Sequence, residues 1–236
     1  MKLGIMQPYF LPYLGYWQLI QYVDTFVIYD DVNFIKGGWI NRNRYLYKNE
    51  AKIFNIIMHD AGSFKKINEI ELMQPAGEYS PMKKLLATFS MAYKKAPYYL
   101  EISKLLEQIA SYQEKNMAKF IENSLRMICA YLDISTKILV SSDIEKTDGL
   151  VKDERVLDLC KRMQADFYIN AIGGKELYRA DKFLQNGITL KFIKMNPIEY
   201  LQFGGEFVPN LSIVDVLMFN DKETVKKMLK EYTLED

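Results

Sequence analysis

The pattern that decides the fold lies in residues 2–31, KLGIMQPYFLPYLGYWQLIQYVDTFVIYDD. The apolar run from Lys2 to Met6 predicts a short buried strand, which the two following prolines end. Residues 16–23 have the apolar spacing of a helix. The run TFVIYDD is rich in β-branched and aromatic residues and predicts a second strand. A strand, a helix and a second strand in this order indicate the start of a parallel sheet.

The same alternation returns after Ser135. Strands are predicted in TKILVSS, DFYIN and ITLKFIK, and helices over residues 153–164 and 176–185 lie between them. Three more helices are predicted within residues 81–132, where apolar residues recur at helical spacing. We therefore expect one domain over residues 1–236, an α/β, Rossmann-like, mostly parallel sheet with a helical segment inserted at about 81–132.

Two regions of the chain lie outside this alternation. Residues 32–48 are polar, basic and aromatic, and they are predicted to form a long structured loop before a strand in AKIFNIIM. Near the C-terminus, two short helices are predicted to begin at Ser212 and Asn220, each with an acidic residue three positions later. Asp215, the first of these acidic residues, is expected to act at its helix start.

The composition excludes several functional classes. A formal net charge of +1 gives no support for a nucleic-acid or membrane-surface partner. The chain shows no signal-peptide pattern and no run of about 20 apolar residues, so a cytoplasmic protein without a membrane span is expected. Cys129 and Cys160 lie in amphipathic helical patterns that favour buried thiols. A homodimer is one expectation for the assembly, and an exposed apolar patch would be its mark.

The loop after the first strand is the first candidate site, because ligands of open parallel sheets bind beyond the carboxyl ends of the strands. Its prolines and glycine would hold the backbone close to a ligand, and the next helix offers free amide hydrogens to an anion. The layout is similar to that of HIGH-motif nucleotidyltransferases, but the histidines of that motif are missing. The alternative is a proline-stiffened loop that packs aromatic rings. The substrate-binding candidates here are Gln7, Pro8, Tyr9, Pro12, Gly15 and Tyr16.

Without any comparison to known families, the segment from Lys36 to Lys48 is the most informative feature of the sequence. It carries four basic residues and no acidic one between them, interleaved with aromatic and asparagine residues. Arginine pairs with phosphate or carboxylate through two hydrogen bonds, and an aromatic ring can stack on a base or a sugar face. An anionic, partly planar ligand such as a nucleotide-sugar fits this pattern, and a solvated loop is the alternative. The candidates are Lys36, Arg42 and Arg44 for catalysis, and Trp39, Asn41 and Asn43 for substrate binding.

Three other strand ends supply candidates. Asp30 and Asp31 are catalytic candidates that could hold a divalent cation or a sugar hydroxyl, or simply form a strand-ending turn. Ser141 and Ser142 could bind phosphate, and Asn170, Gly173 and Gly174 could let the backbone approach a ligand. In each case a tight connection explains the residues equally well. His59 is the one histidine, so a cluster of histidine ligands for zinc is excluded and a lone general base is a minor expectation.

The run MQPYFLPYLGYWQLIQYVDTFVIYDDVNFIKGGWINRNR closely resembles the start of WbqC-like proteins. Further matches follow in the same order along almost the whole chain, in SFKKINEIEL, AYKKAPYYLEI, SSDI, RVLDLCKRMQADFYINAIGGKELY and PNLSIVDVLMFN. The resemblance implies a link to O-antigen and other surface-polysaccharide synthesis. Some members of that family are described as candidate glycine or aminoacyl transferases that act on amino sugars.

That resemblance leads to a hypothesis about the chemistry. Amide formation needs an activated acyl group, which an aminoacyl adenylate made from ATP would supply. Lys36, Arg42 or Arg44 would stabilise phosphate charge, and Asp30 or Asp31 would hold magnesium. ATP or a sugar-nucleotide with magnesium is thus the expected cofactor or donor, and a small sugar or nucleotide is the expected partner. Sugar-nucleotide-dependent glycosyl or nucleotidyl transfer, and non-catalytic binding of a sugar precursor, are the alternatives.

Overall fold

The computed structural model describes residues 1–73 and 80–236. The strands of this part of the chain are β1 (Lys2–Met6), β2 (Thr25–Ile28), β3 (Arg42–Tyr47), β4 (Glu50–Asn55), β5 (Met58–His59), β6 (Glu71–Leu72), β7 (Lys137–Val140), β8 (Phe167–Ala171), β9 (Thr189–Met195) and β10 (Tyr232–Glu235). Its α-helices are α1 (Leu14–Tyr22), α2 (Pro81–Tyr93), α3 (Tyr99–Ser111), α4 (Met117–Tyr131), α5 (Lys152–Arg162), α6 (Ala180–Leu184), α7 (Ile213–Phe219) and α8 (Lys222–Met228).

The central sheet of the described residues has six strands in the order β10-β9-β8-β1-β2-β7. All neighbours are parallel except β10, which runs antiparallel to β9. The chain moves outward from β1 through β2 to β7, and then returns to the other side of β1 with β8 and β9. This is the doubly wound order of Rossmann-like folds, and its topological switch point lies between β1 and β8. The predicted fold class is therefore confirmed.

Helices cover both faces of this sheet, which explains why its strands read as continuous apolar runs. All four residues of β2 are buried. On one face, Leu3, Ile5 and Val27 pack with residues of α5 and with Phe183 of α6. On the other face, Phe26 belongs to a larger core that includes residues of α1, the inserted helices and the C-terminal pair α7 and α8.

The helical insertion is present as predicted: α2, α3 and α4 lie between β2 and β7. The loop predicted over residues 32–48 is wrong for its second half, because β3 pairs with β4 as an antiparallel hairpin outside the main sheet. Lys48 and Asn49 form the two-residue turn with φ of 52° and 62°. Positive φ at both positions is the mark of the turn that suits a tight hairpin, and asparagine is one of the residues that favour it. The alternation of buried Asn43 and Tyr45 with half-buried arginines also agrees with a strand.

Several predicted boundaries change near the C-terminus. The last short helix begins at Asp221 and not at Asn220, because the Asp221 carboxylate accepts the Thr224 amide at 2.8 Å. Asn220 instead ends α7, where its amide donates to the Val216 carbonyl. The helix predicted over 176–185 is a 3-10 turn at Ile172–Leu177 followed by the short α6. Among the described residues, no helix is long and apolar enough to cross a membrane.

Candidate functional site

A surface cavity of about 240 Å³ lies beside the loop that follows β1. We call it the arginine–tryptophan cavity. Trp39 is the most exposed of its aromatic residues, with 44% of its surface accessible. The residues lining this cavity are Tyr9, Tyr13, Trp39, Asn43, Arg44 and Asn210. Four of them were predicted as site residues, whereas Tyr13 and Asn210 were not.

Hydrogen bonds join three distant segments to form the walls of this cavity. Asn43 points away from the arginines of β3 and is buried, and its Nδ2 donates to the Leu11 carbonyl at 2.7 Å. The Ser212 amide donates to the Arg44 carbonyl at 2.8 Å, and its hydroxyl donates to the same Leu11 carbonyl at 2.7 Å. The β1 loop, β3 and the segment before α7 are therefore fixed to one another. A ligand in the cavity would contact walls that are already in place.

Arg42 and Arg44 carry the charge of this site. Their guanidinium carbons lie 5.2 Å and 5.7 Å from the centre of the Trp39 ring, so both contact the same indole. Arg42 donates to the Gly37 carbonyl, and Arg44 donates to the Asn210 carbonyl at 3.1 Å. The Nε atoms of both arginines are buried and have no hydrogen-bond partner among the described residues.

The charge of these two arginines is also unpaired. The chain has six arginines, and four of them form ion pairs with carboxylates. Arg42 and Arg44 have no carboxylate within ion-pair distance in the described part of the chain. Guanidinium groups that are partly buried without a counter-ion are costly unless a ligand supplies the charge. The cavity therefore lies beside positive charge that no carboxylate of the described residues neutralises.

The phenols of the cavity remain hydrogen-bond donors at neutral pH. Burial raises the pKa of Tyr9 well above its usual range and Tyr13 raises it further, although the positive charges of Arg44 and Arg42 oppose this. Burial also raises the pKa of Tyr13. The rings of Tyr9 and Tyr13 lie 6.5 Å apart, and Tyr9 packs edge-on against Tyr16 at 6.0 Å. Neutral phenols beside two cations can donate to the oxygens of an anionic ligand.

A second group of polar side chains, the aspartate cluster, joins the ends of β2 and β7. It consists of Asp30, Asp31, Ser141, Ser142, Lys146 and Arg155. Asp30 accepts the amide and the hydroxyl of Ser142, at 2.9 Å and 2.7 Å. Asp31 accepts the Ser141 hydroxyl at 2.7 Å through one oxygen, and ion pairs with Arg155 at 2.5 Å and Lys146 at 2.9 Å through the other.

The charge state of Asp31 follows from these contacts. Burial by itself would raise the pKa of Asp31, but hydrogen bonds from Lys146 and Ser141 and the positive charge of Arg155 lower it below its usual value. Asp31 is therefore ionised at neutral pH. The sequence predicted Asp30 with Asp31 and Ser141 with Ser142 as separate candidates; the structure joins them, and Lys146 and Arg155, which sequence reasoning missed, complete the cluster.

Asp30 and Asp31 fit a divalent cation poorly. Both are nearly fully buried, and each of their four carboxylate oxygens already accepts a hydrogen bond or an ion pair. Two cationic side chains occupy the position next to Asp31 where a metal would have to sit. Within residues 1–73 and 80–236, no three His, Cys, Asp or Glu side chains are grouped as a metal site. The two aspartates bind side chains that connect neighbouring strand ends.

The third predicted strand end, after β8, does not reach the cavity. Asn170 is buried and its Nδ2 donates to the Tyr168 hydroxyl at 2.6 Å. A Cβ on Gly174 would lie 2.9 Å from Asn170 Oδ1, so this glycine is required for close packing. Gly173 is exposed and faces open space. These residues lie at the switch point but form a tight connection.

Several residues predicted as binding residues in the first loop instead support the fold next to the cavity. The Tyr16 hydroxyl donates to the Gln7 carbonyl at 2.9 Å, and the Pro12 carbonyl accepts the indole N–H of Trp17 at 3.1 Å. A Cβ on Gly15 would lie 2.5 Å from the Tyr13 ring, so Gly15 makes room for a cavity residue. Three more predicted residues lie outside the cavity lining: Pro8 and Asn41 are buried, and Lys36 is exposed on the turn before Trp39.

The buried carboxylate of Asp215 was missed as a network residue. It is fully buried and accepts hydrogen bonds from Tyr93 at 2.9 Å, Tyr200 at 2.6 Å and Gln202 at 2.8 Å. Burial raises its pKa, and the three hydrogen bonds oppose that shift. Its position three residues after Ser212 predicted a role at the helix start, without identifying these partners. The cap is formed instead by the Ser212 hydroxyl, which accepts the Val214 amide at 3.3 Å.

Comparison with known proteins gives one family and one curated relative. The model of the WbqC-like protein family matches residues 7–227. An uncharacterized protein of Mycobacterium tuberculosis, Rv1507c, is 31% identical over 222 residues, which cover 93% of each chain. No solved structure matches the chain. Because the family model spans nearly the whole sequence, including every cavity residue, the chain belongs to the WbqC-like protein family.

Proposed function

We propose that the protein is a group transferase of surface-polysaccharide synthesis that binds a phosphorylated donor in the arginine–tryptophan cavity. The acceptor in this proposal is an amino sugar or a sugar-nucleotide, and the transferred group is a glycyl or another aminoacyl group. The O-antigen context comes from the resemblance of the sequence to WbqC-like proteins.

One observation carries the binding half of this proposal. Arg42 and Arg44 contact the same indole, both lack a carboxylate partner among the described residues, and both keep a buried Nε without an acceptor. An anionic ligand would satisfy these groups through charge-assisted hydrogen bonds. The half-exposed ring of Trp39 offers a flat surface for a base or a sugar.

The chemical step would proceed through an activated acyl group. In the adenylate version, the amino-acid carboxylate attacks the α-phosphorus of ATP and pyrophosphate leaves. The amine of the acceptor then attacks the acyl carbon, AMP leaves, and the amine loses a proton. Arg42 and Arg44 would stabilise the negative charge on the phosphate oxygens during both steps.

A second candidate function is binding without catalysis. Within residues 1–73 and 80–236, the cavity lining provides arginine, tyrosine, tryptophan and asparagine, but no carboxylate, histidine or cysteine that could serve as a base or nucleophile. The histidine of the chain, His59, is an exposed residue of β5 and does not line the cavity. A protein that presents a sugar precursor to a partner enzyme would need no such group.

Ligand binding and turnover can be measured on the same purified protein. We expect ATP, UDP-sugars or dTDP-sugars to raise the melting temperature, because a ligand that binds only the folded state stabilises it. Amino-acid-dependent release of pyrophosphate from ATP, with an amino-sugar acceptor present, would support adenylation. Binding of a sugar-nucleotide without turnover would support the second candidate instead.

Matched arginine variants connect the binding to the cavity. Arg44→Gln should weaken binding by about 10-fold or more, because a hydrogen bond to a charged group contributes about 1.5–3 kcal/mol. Arg179→Gln removes the same charge from an exposed residue that pairs with Asp181, and it should leave binding unchanged. Equal effects of the two variants, or no binding of any nucleotide, would contradict the proposed site.

A further inference from the structure

The two unpaired arginines are neighbours on one face of a strand. Arg42 and Arg44 are two positions apart on β3, so their side chains project to the same side, with Cα atoms about 7 Å apart. Asn43 between them points to the opposite side and is buried. The indole of Trp39 lies within 6 Å of both guanidinium carbons and holds them side by side. Two planar cations therefore lie side by side: Arg44 lines the cavity, and Arg42 adjoins it across the Trp39 ring.

The N–H groups of Arg42 and Arg44 that the protein does not use can bind more than one anionic group. Each arginine uses one terminal nitrogen for a backbone carbonyl, of Gly37 or Asn210, which fixes its orientation. Each also has further terminal N–H groups that can donate to a ligand, and its buried Nε has no acceptor among the described residues. A guanidinium binds one phosphoryl group through two parallel hydrogen bonds, so two guanidinium groups suit two linked phosphoryl groups.

Among the described residues, no acidic side chain lines this cavity. A magnesium ion that bridges phosphoryl groups is commonly held by protein carboxylates. Such a metal would need carboxylate oxygens that are free to coordinate it, whereas those of Asp30 and Asp31 accept hydrogen bonds from serine, lysine and arginine side chains. At this cavity, the arginine side chains would supply the positive charge that faces the phosphates.

We propose that the arginine–tryptophan cavity recognises a diphosphate ester, such as a nucleoside diphosphate or its sugar conjugate, by direct contact of Arg42 and Arg44 with the two phosphoryl groups and without a bridging metal ion. This inference rests on the proposed function and narrows the ligand of the cavity to the sugar-nucleotide of that reaction, in preference to ATP. Tyr9 and Tyr13 donate to the remaining phosphate oxygens or to the sugar. A monophosphate can engage the two cations less completely and binds more weakly.

The fluorescence of Trp39 should report directly whether a ligand occupies the cavity. The chain has two tryptophans, and the other one, Trp17, is fully buried in the core. Fluorescence of the full chain should change when UDP or inorganic pyrophosphate is added in EDTA, and Trp39→Phe should abolish that change. UDP should bind at least about 10-fold more tightly than UMP, since one charge-assisted contact contributes about that factor. Replacing EDTA by magnesium should not tighten the binding of UDP.

Arginine variants test the direct contact. Arg42→Gln and Arg44→Gln should each weaken UDP binding by about 10-fold or more, whereas Arg179→Gln should not change it. Arg44→Lys keeps the charge but loses the planar fork, so it should fall between wild type and Arg44→Gln. Isothermal titration calorimetry gives the same dissociation constants without relying on Trp39, and circular dichroism confirms that each variant is folded.

The outcomes separate this inference from the proposed function. Binding that requires magnesium but is still lost in Arg44→Gln would overturn the metal-free contact and leave the donor site standing. Equal affinity for UMP and UDP, or binding of ATP alone, would overturn the choice of a diphosphate ester. The absence of binding by any nucleotide under either condition would overturn the inference and the proposed site together.

Discussion

At the scale of single residues, Asp31 and Arg44 differ in whether the protein itself pairs their charge. Asp31 is surrounded by donors from Ser141, Lys146 and Arg155, so its charge is satisfied within the protein. Arg44 has no carboxylate partner in the described residues, so its charge is available to a ligand. The sequence marked both as catalytic candidates because residue type alone does not reveal the partners. The contacts show that Asp31 connects strand ends, whereas the charge of Arg44 is left without a carboxylate partner in the described residues.

The ion pairs of Asp31 predict an acid-dependent stability. The pKa of Asp31 is lowered by folding, so its contribution to stability is present above its unfolded pKa and is lost as the pH falls below about 4. Asp31→Asn should therefore cost about 3 kcal/mol at neutral pH, because Lys146 and Arg155 lose their buried partner. Urea unfolding of both proteins at several pH values measures the difference, which should shrink in acid.

An exposed pair provides the matched control for that experiment. Asp181 pairs with Arg179 at the surface, where both side chains are more than half exposed. Asp181→Asn should change the free energy of unfolding by less than about 1 kcal/mol. A cost for Asp31→Asn as small as this, or one that does not change with pH, would show that the ion pairs do not stabilise the end of β2.

At the scale of secondary-structure elements, hydrogen bonds of buried side chains fix the strand that carries the arginines. The Leu46 amide of β3 donates to the Tyr93 hydroxyl at 2.8 Å, and that hydroxyl donates to Asp215 at 2.9 Å. Asp215 also accepts from Tyr200 in the segment between β9 and α7. One carboxylate thus connects α2, α7, the segment after β9 and, through Tyr93, the hairpin. The position of Arg44 depends on elements far from it in the sequence.

Removal of one hydroxyl should test this connection. Tyr93→Phe leaves the Leu46 amide without an acceptor and removes one donor from Asp215, so it should destabilise the protein by about 2–3 kcal/mol. Chemical denaturation measures the cost, and Trp39 fluorescence reports any movement of β3. Tyr99→Phe is the control, since its hydroxyl donates only to Ser90 in a partly buried contact. Similar costs for the two variants would mean that the Asp215 network is not required to hold the hairpin.

At the scale of the whole molecule, the doubly wound sheet brings the strand ends together and the C-terminal strand closes one edge. The loop after β1, which lies at the switch point, forms one wall of the arginine–tryptophan cavity. At the sheet edge, β10 pairs with β9 from Tyr232 to Glu235. The Gln18 side chain of α1 donates to the Met228 and Glu231 carbonyls, each at 2.9 Å, and these bonds hold the segment just before β10 against α1.

Deletion of residues 230–236 should therefore have two measurable effects. It removes the edge strand and one of the two acceptors of Gln18, so the melting temperature should fall. It also leaves the outer edge of β9 unpaired, which should promote self-association at high protein concentration. Size-exclusion chromatography with light scattering detects the second effect. Glu235→Gln, which keeps the strand, is the control, and a deletion variant as stable and monodisperse as this control would contradict the edge-protecting role of β10.

Much of the architecture follows from the sequence because periodicity is a local property. The apolar runs of β1, β2, β8 and β9 and the helical spacing of α2 to α4 predict their elements directly. The hairpin was missed because β3 begins with three polar residues, Arg42 to Arg44, so the apolar alternation that predicts a strand is incomplete. The strand β10 was missed because it is short and mostly polar, and it forms only by pairing with β9.

The sequence by itself determined the fold class, the family and the segment that carries the unpaired arginines. Only the tertiary structure decided which candidate site residues contact one another. Arg44 contacts Asn210 from 166 positions away, and Arg155 pairs with Asp31 across 124 positions. The physical reason is that helices and strands arise from neighbours within a few residues, whereas a binding site depends on contacts between distant segments, which only the packed chain creates.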